Sequence, residues 1–328
     1  MRDLPAPQTF GAEAPERAVK GIRPELFAVA GFVALAACTP ESSKEIPIAS
    51  LSALDLAQGE RLQVAASTTI VAEVLAHVGA EDIVLTTTFP PGADPHEFEP
   101  TPREIERLSQ TDALFVSGLG YETVLQRTLV EAGLAPRTIA LSEGLAPGVD
   151  PAADPHVWLD PRNVMIWVDN AAMALSALDP DHADDYARRA LAYRGQLQEL
   201  DGRLEELAAQ LPSEDRKIVA DHEALGHLAA RYDFEIVGSL IPGPSSAAEP
   251  SARDLAELQS TMQADGIRVV FITSLGNRSL AERMAGDSGA RLVQLYVESL
   301  SEPGGPADSY LKLMEYNLAA IVEALSLP

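Results

Sequence analysis

Two of the six histidines stand in the same local context: His96 in "PPGADPHEFEPTP" and His156 in "AADPHVWLDP". Each follows a proline, whose ring fixes the local backbone and disfavours helix, so each imidazole is presented from a stiff, non-helical turn. Imidazole is the commonest protein ligand for divalent transition ions, and the neutral ring suits zinc. Either residue alone reads most simply as a hydrogen-bonded loop histidine. The pair acquires a chemical meaning together with His222, which follows the apolar run "KIVAD" (Lys217 to Asp221) at the carboxyl end of a predicted strand, where α/β proteins place their sites. The text "HEALGH" resembles a zinc protease motif only in passing. Such a motif needs histidines four apart with a glutamate as base between them, but His222 and His227 are five apart, roughly 140° around a helix. His227 is therefore expected to pack within its helix. His77, inside the first predicted helix, and His182, at the start of a long one, are expected to be packing or surface residues.

The elements that must position these side chains alternate short apolar runs with helical patterns, which predicts α/β architecture with parallel sheets. "LQVAAS", "DIVLTT" and "ALFVSG" read as strands of an N-terminal half; "KIVAD", "FEIVGSLI", "VVFIT" and "RLVQLY" read as strands of a C-terminal half. Two sheets of about four strands each imply two lobes. Between them, Leu191, Leu197, Leu200, Leu204, Leu207 and Leu211 fall on one helical stripe of an uninterrupted helix predicted over Ala183 to Leu211. At 1.5 Å per residue it would be about 44 Å long, a spine running the height of both lobes. The seam is too short for a coiled coil. The expected boundaries are a targeting segment over 1–38, a flexible tether over 39–60, an N-terminal lobe over 61–182, the spine over 183–211 and a C-terminal lobe over 212–328.

A formal net charge of −25 repels phosphate backbones and argues against nucleic-acid binding. Apolar residues make up 46% of the chain, ample for a folded core. Near the N-terminus, Arg17, Lys20 and Arg23 precede "LFAVAGFVALAA", an apolar run too short to span a bilayer, which takes about 20 residues. The run ends in "LAAC" at Cys38, the only cysteine. This ending resembles the lipobox of bacterial lipoproteins, which implies cleavage before Cys38 and its acylation.

The stretches "PPGADPHEFEPTPREI", "DPHVWLDPRN", "VADHEALGHLAARYDFEIVG" and "QLYVESLSEPGGPADSYLKLMEYNL" resemble the zinc- and manganese-binding receptors of bacterial ABC importers, the cluster A-I solute-binding lipoproteins. The resemblance runs from about Arg61 to Leu325. It implies two α/β lobes joined by one rigid helix, a metal ion in the cleft, and only small lobe movements on release. The ligands it implies are His96, His156, His222 and a carboxylate near the C-terminus. Glu298 of "LYVESL" stands where the family has aspartate, and its extra methylene leaves direct, water-mediated or outer contact with the ion open. Three imidazoles and one carboxylate favour Zn²⁺ over Mn²⁺, although the long His-rich loop of many zinc members is absent between Ser142 and His156. The implied protein is a monomeric, lipid-anchored, extracytoplasmic receptor that passes its ion to a permease driven by a cytoplasmic ATPase. A manganese receptor, or a metal-binding adhesin or metallochaperone, is the alternative. A metal-dependent hydrolase is disfavoured, because four protein ligands close the coordination sphere and no nucleophile or oxyanion motif accompanies the histidines.

Overall fold

A computed structural model describes residues 45–145, 154–243, 249–273 and 277–327. Cys38, the targeting segment and the first residues of the expected tether lie outside them. From Glu45 onward the expected tether is laid on the N-terminal lobe. Ile46 donates its N–H to Thr138 O and Leu54 to Leu178 O, both at 2.9 Å, and the Ile48 side chain is buried. The apolar residues Ile48, Leu51 and Leu56 explain the difference, because burying them outweighs leaving a polar-looking strap in water.

The N-terminal sheet comprises β1 (Leu62–Ala66), β2 (Ile83–Thr87), β3 (Ala113–Val116) and β4 (Thr138–Ala140), in the order β2-β1-β3-β4. The C-terminal sheet comprises β5 (Lys217–His222), β6 (Glu235–Ile241), β7 (Val269–Thr273) and β8 (Arg291–Leu295), in the order β6-β5-β7-β8. All pairings are parallel, as the apolar runs predict. The two sheets share one topology. In each, the strand order reverses beside the first strand, which opens a crevice at the carboxyl ends of the strands.

The N-terminal helices are α1 (Thr69–Gly79), α2 (Pro102–Ser109) and α3 (Thr123–Glu131). Thr101 and Glu104 form a reciprocal capping box at the start of α2, which fixes where the loop carrying His96 ends. The spine is α5 (Ala183–Ala208), three residues shorter than its predicted span. Its buried stripe is Tyr186, Ala190, Tyr193, Leu197, Leu200, Leu204 and Ala208, whereas Leu191 is 73% exposed. The step of six from Leu191 to Leu197 is not a helical repeat; the aromatic residues at 186 and 193 complete the stripe instead. The spine does not act alone, for α4 (Pro161–Leu178) lies along it. One continuous core joins α1, α4 and α5 to β5, α6 (Gly226–Tyr232) and the C-terminal helix (Tyr310–Ser326). Two lobes sharing one core resist wide hinging.

Candidate metal centre

His222 is the last residue of β5, His96 sits in the loop after β2, and His156 begins the turn that leads into α4. Three segments far apart in sequence thus deliver three imidazoles to one crevice, where one ligand nitrogen from each lies within 4.8 Å of the others. His156 and His222 are buried, and His96 is partly open to solvent. The Nε2 atoms of His96 and His156 are 3.4 Å apart. Two imidazoles bound to one tetrahedral ion at Zn–N distances of about 2.0–2.1 Å would place their nitrogens about 3.3 Å apart. Glu298, in the loop after β8, brings Oε1 to 3.6 Å from His222 Nε2.

Each sequence-predicted ligand is therefore at the crevice, and several of their polar atoms have no hydrogen-bond partner. His222 Nε2 and both Glu298 oxygens are buried and make no hydrogen bond among the described residues. An orphaned buried carboxylate is costly, and a cation between Glu298 and the histidines would remove that cost.

The nitrogens facing away from the crevice are held. His156 Nδ1–H donates to Asp154 Oδ1 at 2.7 Å, and His222 Nδ1–H donates to Asp221 Oδ1 at 2.9 Å. Asp221 Oδ2 in turn accepts from the N–H and hydroxyl of Thr273 at 2.8 and 3.0 Å. These carboxylates fix the tautomer and leave the Nε2 lone pairs for an ion. Both "ADPH" segments fold the same way, since Asp94 Oδ1 accepts the His96 N–H at 2.9 Å and Asp154 Oδ1 the His156 N–H at 3.0 Å. The aspartates two residues ahead of each histidine were visible in the sequence, and aspartate's habit of bonding the backbone two residues on was the available signal.

Burial and mutual proximity hold the His96 imidazolium pKa down at about 4, and burial likewise lowers that of His156 against the pull of Asp154. Both rings are thus neutral and able to ligate. Burial pushes the Glu298 carboxyl up to about 7, opposed by His222. Burial would lower His222, but the Asp221 hydrogen bond and the charges of Asp221 and Glu298 leave it raised.

Behind the histidines, Tyr121 sets its ring edge-on to His96 and His156 at centroid distances of 4.9 and 5.2 Å. Its neighbour Glu122, wholly buried, accepts from Ser67 Oγ and Ser117 N–H at 2.7 Å and from Gly118 N–H at 3.3 Å. That carboxylate ties the ends of β1 and β3 to the Tyr121 loop, and Glu122→Ala would orphan its donors. We expect a loss of about 3 kcal/mol, read as a melting temperature lower by roughly 6–12 °C. A variant melting with the wild type would remove Glu122 from this role.

The loop bearing Glu298 belongs to the C-terminal lobe by sequence yet is bonded to the other lobe. Trp158 Nε1–H donates to Val297 O at 2.9 Å, Gly92 N–H to Ser299 Oγ at 3.3 Å, and Leu300 N–H to Thr69 Oγ1 at 2.9 Å. His227, expected only to pack, instead donates Nε2–H across the cleft to Asp154 O at 3.0 Å. Among the described residues, His77 stacks on Tyr193 and His182 pairs with Asp179, both away from the crevice.

A family model described as ZnuA, zinc-uptake complex component A, periplasmic, matches residues 64–324. The chain belongs to this family. It is accordingly a substrate-binding receptor of an ABC importer for metal ions and not an enzyme. The manganese-binding lipoprotein MntA of Halalkalibacterium halodurans is 31% identical over 272 residues, covering 82% of this chain and 90% of that protein. The iron-binding protein YfeA of Yersinia pestis is 28% identical, covering 80% of this chain and 86% of its own. Among solved structures, the periplasmic zinc-binding protein TroA of Treponema pallidum superposes with a TM-score of 0.75 at 26% identity, covering 81% of this chain and 99% of TroA. The two-lobed α/β architecture expected from the sequence is that of these receptors. Among the described residues no helix is long and apolar enough to cross a membrane.

Proposed function

We propose that the protein captures Zn²⁺ outside the cytoplasmic membrane with His96, His156, His222 and Glu298 and delivers it to a permease driven by a cytoplasmic ATPase. The observation that carries this reading is the convergence of three imidazoles within 4.8 Å, faced by a buried carboxylate with no other partner. The nitrogen-rich donor set favours a borderline-soft ion over Mn²⁺, which leans toward oxygen ligands. Glu298 takes the carboxylate position as a direct ligand. Acylated Cys38 holds the mature receptor at the membrane, with 1–38 removed or modified as a lipoprotein signal. The receptor works as a monomer, its N-terminal lobe over 61–182 and its C-terminal lobe over 212–328 joined by the spine α5.

Manganese is the second reading, supported by relatives named for it, such as MntA. Competitive calorimetry of metal-free protein with Zn²⁺ and Mn²⁺ separates the two. Zinc is expected to win. His222→Glu, which exchanges a nitrogen for oxygens, is expected to narrow the zinc preference by about tenfold or more. Tighter binding of Mn²⁺ by the wild type would reverse the assignment, and binding of neither ion better than micromolar would end the transport reading.

A further inference from the structure

One carboxylate beside the metal centre is divided between the two lobes. Asp154 Oδ1 accepts from the N–H and ring Nδ1–H of His156. Its other oxygen, Oδ2, reaches across the cleft to the N–H of Gly226, the first residue of α6, at 2.8 Å. That amide is one of the helix-start donors that have no partner inside the helix, so Asp154 satisfies a group the helix cannot. The Asp154 carbonyl meanwhile receives His227 Nε2–H. A side chain at position 226 would push the carboxylate away: a Cβ there would stand 2.8 Å from Asp154 Oδ2 and 3.6 Å from its Cβ and Cγ. Glycine lets the carboxylate approach the backbone without that displacement.

The far end of α6 is anchored as well. Arg231 Nε and Nη2 donate to the two oxygens of Asp201 on the spine, both at 2.8 Å. Arg162, at the start of α4, reaches the same carboxylate at 3.2 Å. Helix α6 is therefore gripped at one end through the residue that orients His156, and at the other through the spine. It also follows directly on the turn that leaves His222.

We propose that Asp154 is a positioning residue that couples coordination by His156 to closure of the C-terminal lobe through the Gly226 amide; this rests on His156 being a ligand. A bound cation makes the Nδ1–H a stronger donor, which fixes the plane of the Asp154 carboxylate. The fixed plane keeps Oδ2 on Gly226. In the other direction, opening at α6 strips the carboxylate of a donor, frees it to rotate off the imidazole and loosens the ion. The two effects are linked and must be equal in free energy.

The test compares Asp154→Asn, Gly226→Ala and the double variant by the rate at which zinc-loaded protein releases Zn²⁺ to a chelator. Asparagine keeps the size but turns an NH₂ group toward one of the two donors, so one bond of the bridge is lost. Alanine at 226 displaces Oδ2 without touching His156. Each single variant is expected to release zinc about ten- to a hundredfold faster. The double variant should be no faster than the faster single, because both break the same bridge. In the wild-type protein, zinc should slow hydrogen exchange at the Gly226 amide, a measurement that needs no variant to fold. Wild-type release from Gly226→Ala, additive effects in the double variant, or Gly226 exchange indifferent to zinc would each overturn the coupling. His156→Ala distinguishes loss of the ligand from loss of the coupling. Wild-type zinc affinity in that variant removes the ligand reading and the coupling with it. Lost affinity there, beside wild-type release from Gly226→Ala, removes the coupling alone.

Discussion

Replacing His156 with alanine is expected to weaken zinc binding by about a hundredfold or more. The estimate follows from the whole: four ligands sharing an apparent binding energy of about 10–16 kcal/mol contribute roughly 3 kcal/mol each, and every 1.4 kcal/mol is tenfold. His156 should sit at the severe end. It is wholly buried, its Nδ1 is locked by Asp154, and its Nε2 lies 3.4 Å from that of His96. Removing the ring would also leave Asp154 without a ring partner. Competition against a chelator of known zinc affinity measures the effect. An affinity within threefold of the wild type would remove His156 from the ligand set. Half-buried His77, stacked on Tyr193 away from the crevice, serves as the contrasting position, and His77→Ala should bind zinc normally.

The second large effect is a loss of affinity in acid. In the metal-free protein burial raises the Glu298 carboxyl to about 7, and the pair it forms with raised His222 holds a proton near neutrality. A bound ion requires that proton to leave. Affinity should therefore fall by at least tenfold per unit as pH drops below about 7, because Glu298 and His222 each take up a proton that the ion must displace. Between pH 7 and 5 the loss reaches about a hundredfold or more. His96, held down at about 4, adds nothing in this window. The stability of the metal-free protein runs the opposite way. Because the folded value of Glu298 exceeds its unfolded one near 4.5, its contribution to stability is fully present below that unfolded value. It is lost as pH rises through about 7. The rise in melting temperature on adding zinc should accordingly grow from pH 5 to pH 8. Calorimetry over that range checks both signs, and a pH-independent zinc affinity would take Glu298 out of the coordination sphere.

Much of this arrangement was legible in the chain. Parallel sheets follow from apolar runs separated by helical patterns, and the stiff turns at His96 and His156 follow from a proline before each. The structure departs from the sequence pattern where local pattern and global packing disagree. The strap after Glu45 looked like a tether because its apolar residues are few and scattered, yet Ile48, Leu51 and Leu56 find places on the lobe. Leu191 looked like part of the spine's stripe because leucine is usually buried, but its neighbours Ala190 and Tyr193 face the core instead. His227 sits at the wrong angle to share an ion with His222, so spacing rightly rejected a protease motif. Spacing said nothing of Asp154, which lies 73 residues away.

By itself the sequence determined the local physics: which segments pair as strands, which residues start helices, and which side chains carry metal-binding chemistry on rigid turns. These depend on periods of two and 3.6 residues and on the chemistry of proline, aspartate and glycine over a few positions. Tertiary structure alone decided that His96, His156, His222 and Glu298 meet, that the Glu298 loop is bonded to the opposite lobe, and that Asp154 reaches Gly226. The reason is that these approaches join segments far apart in the chain, and their distances are set by how one shared apolar core packs both lobes.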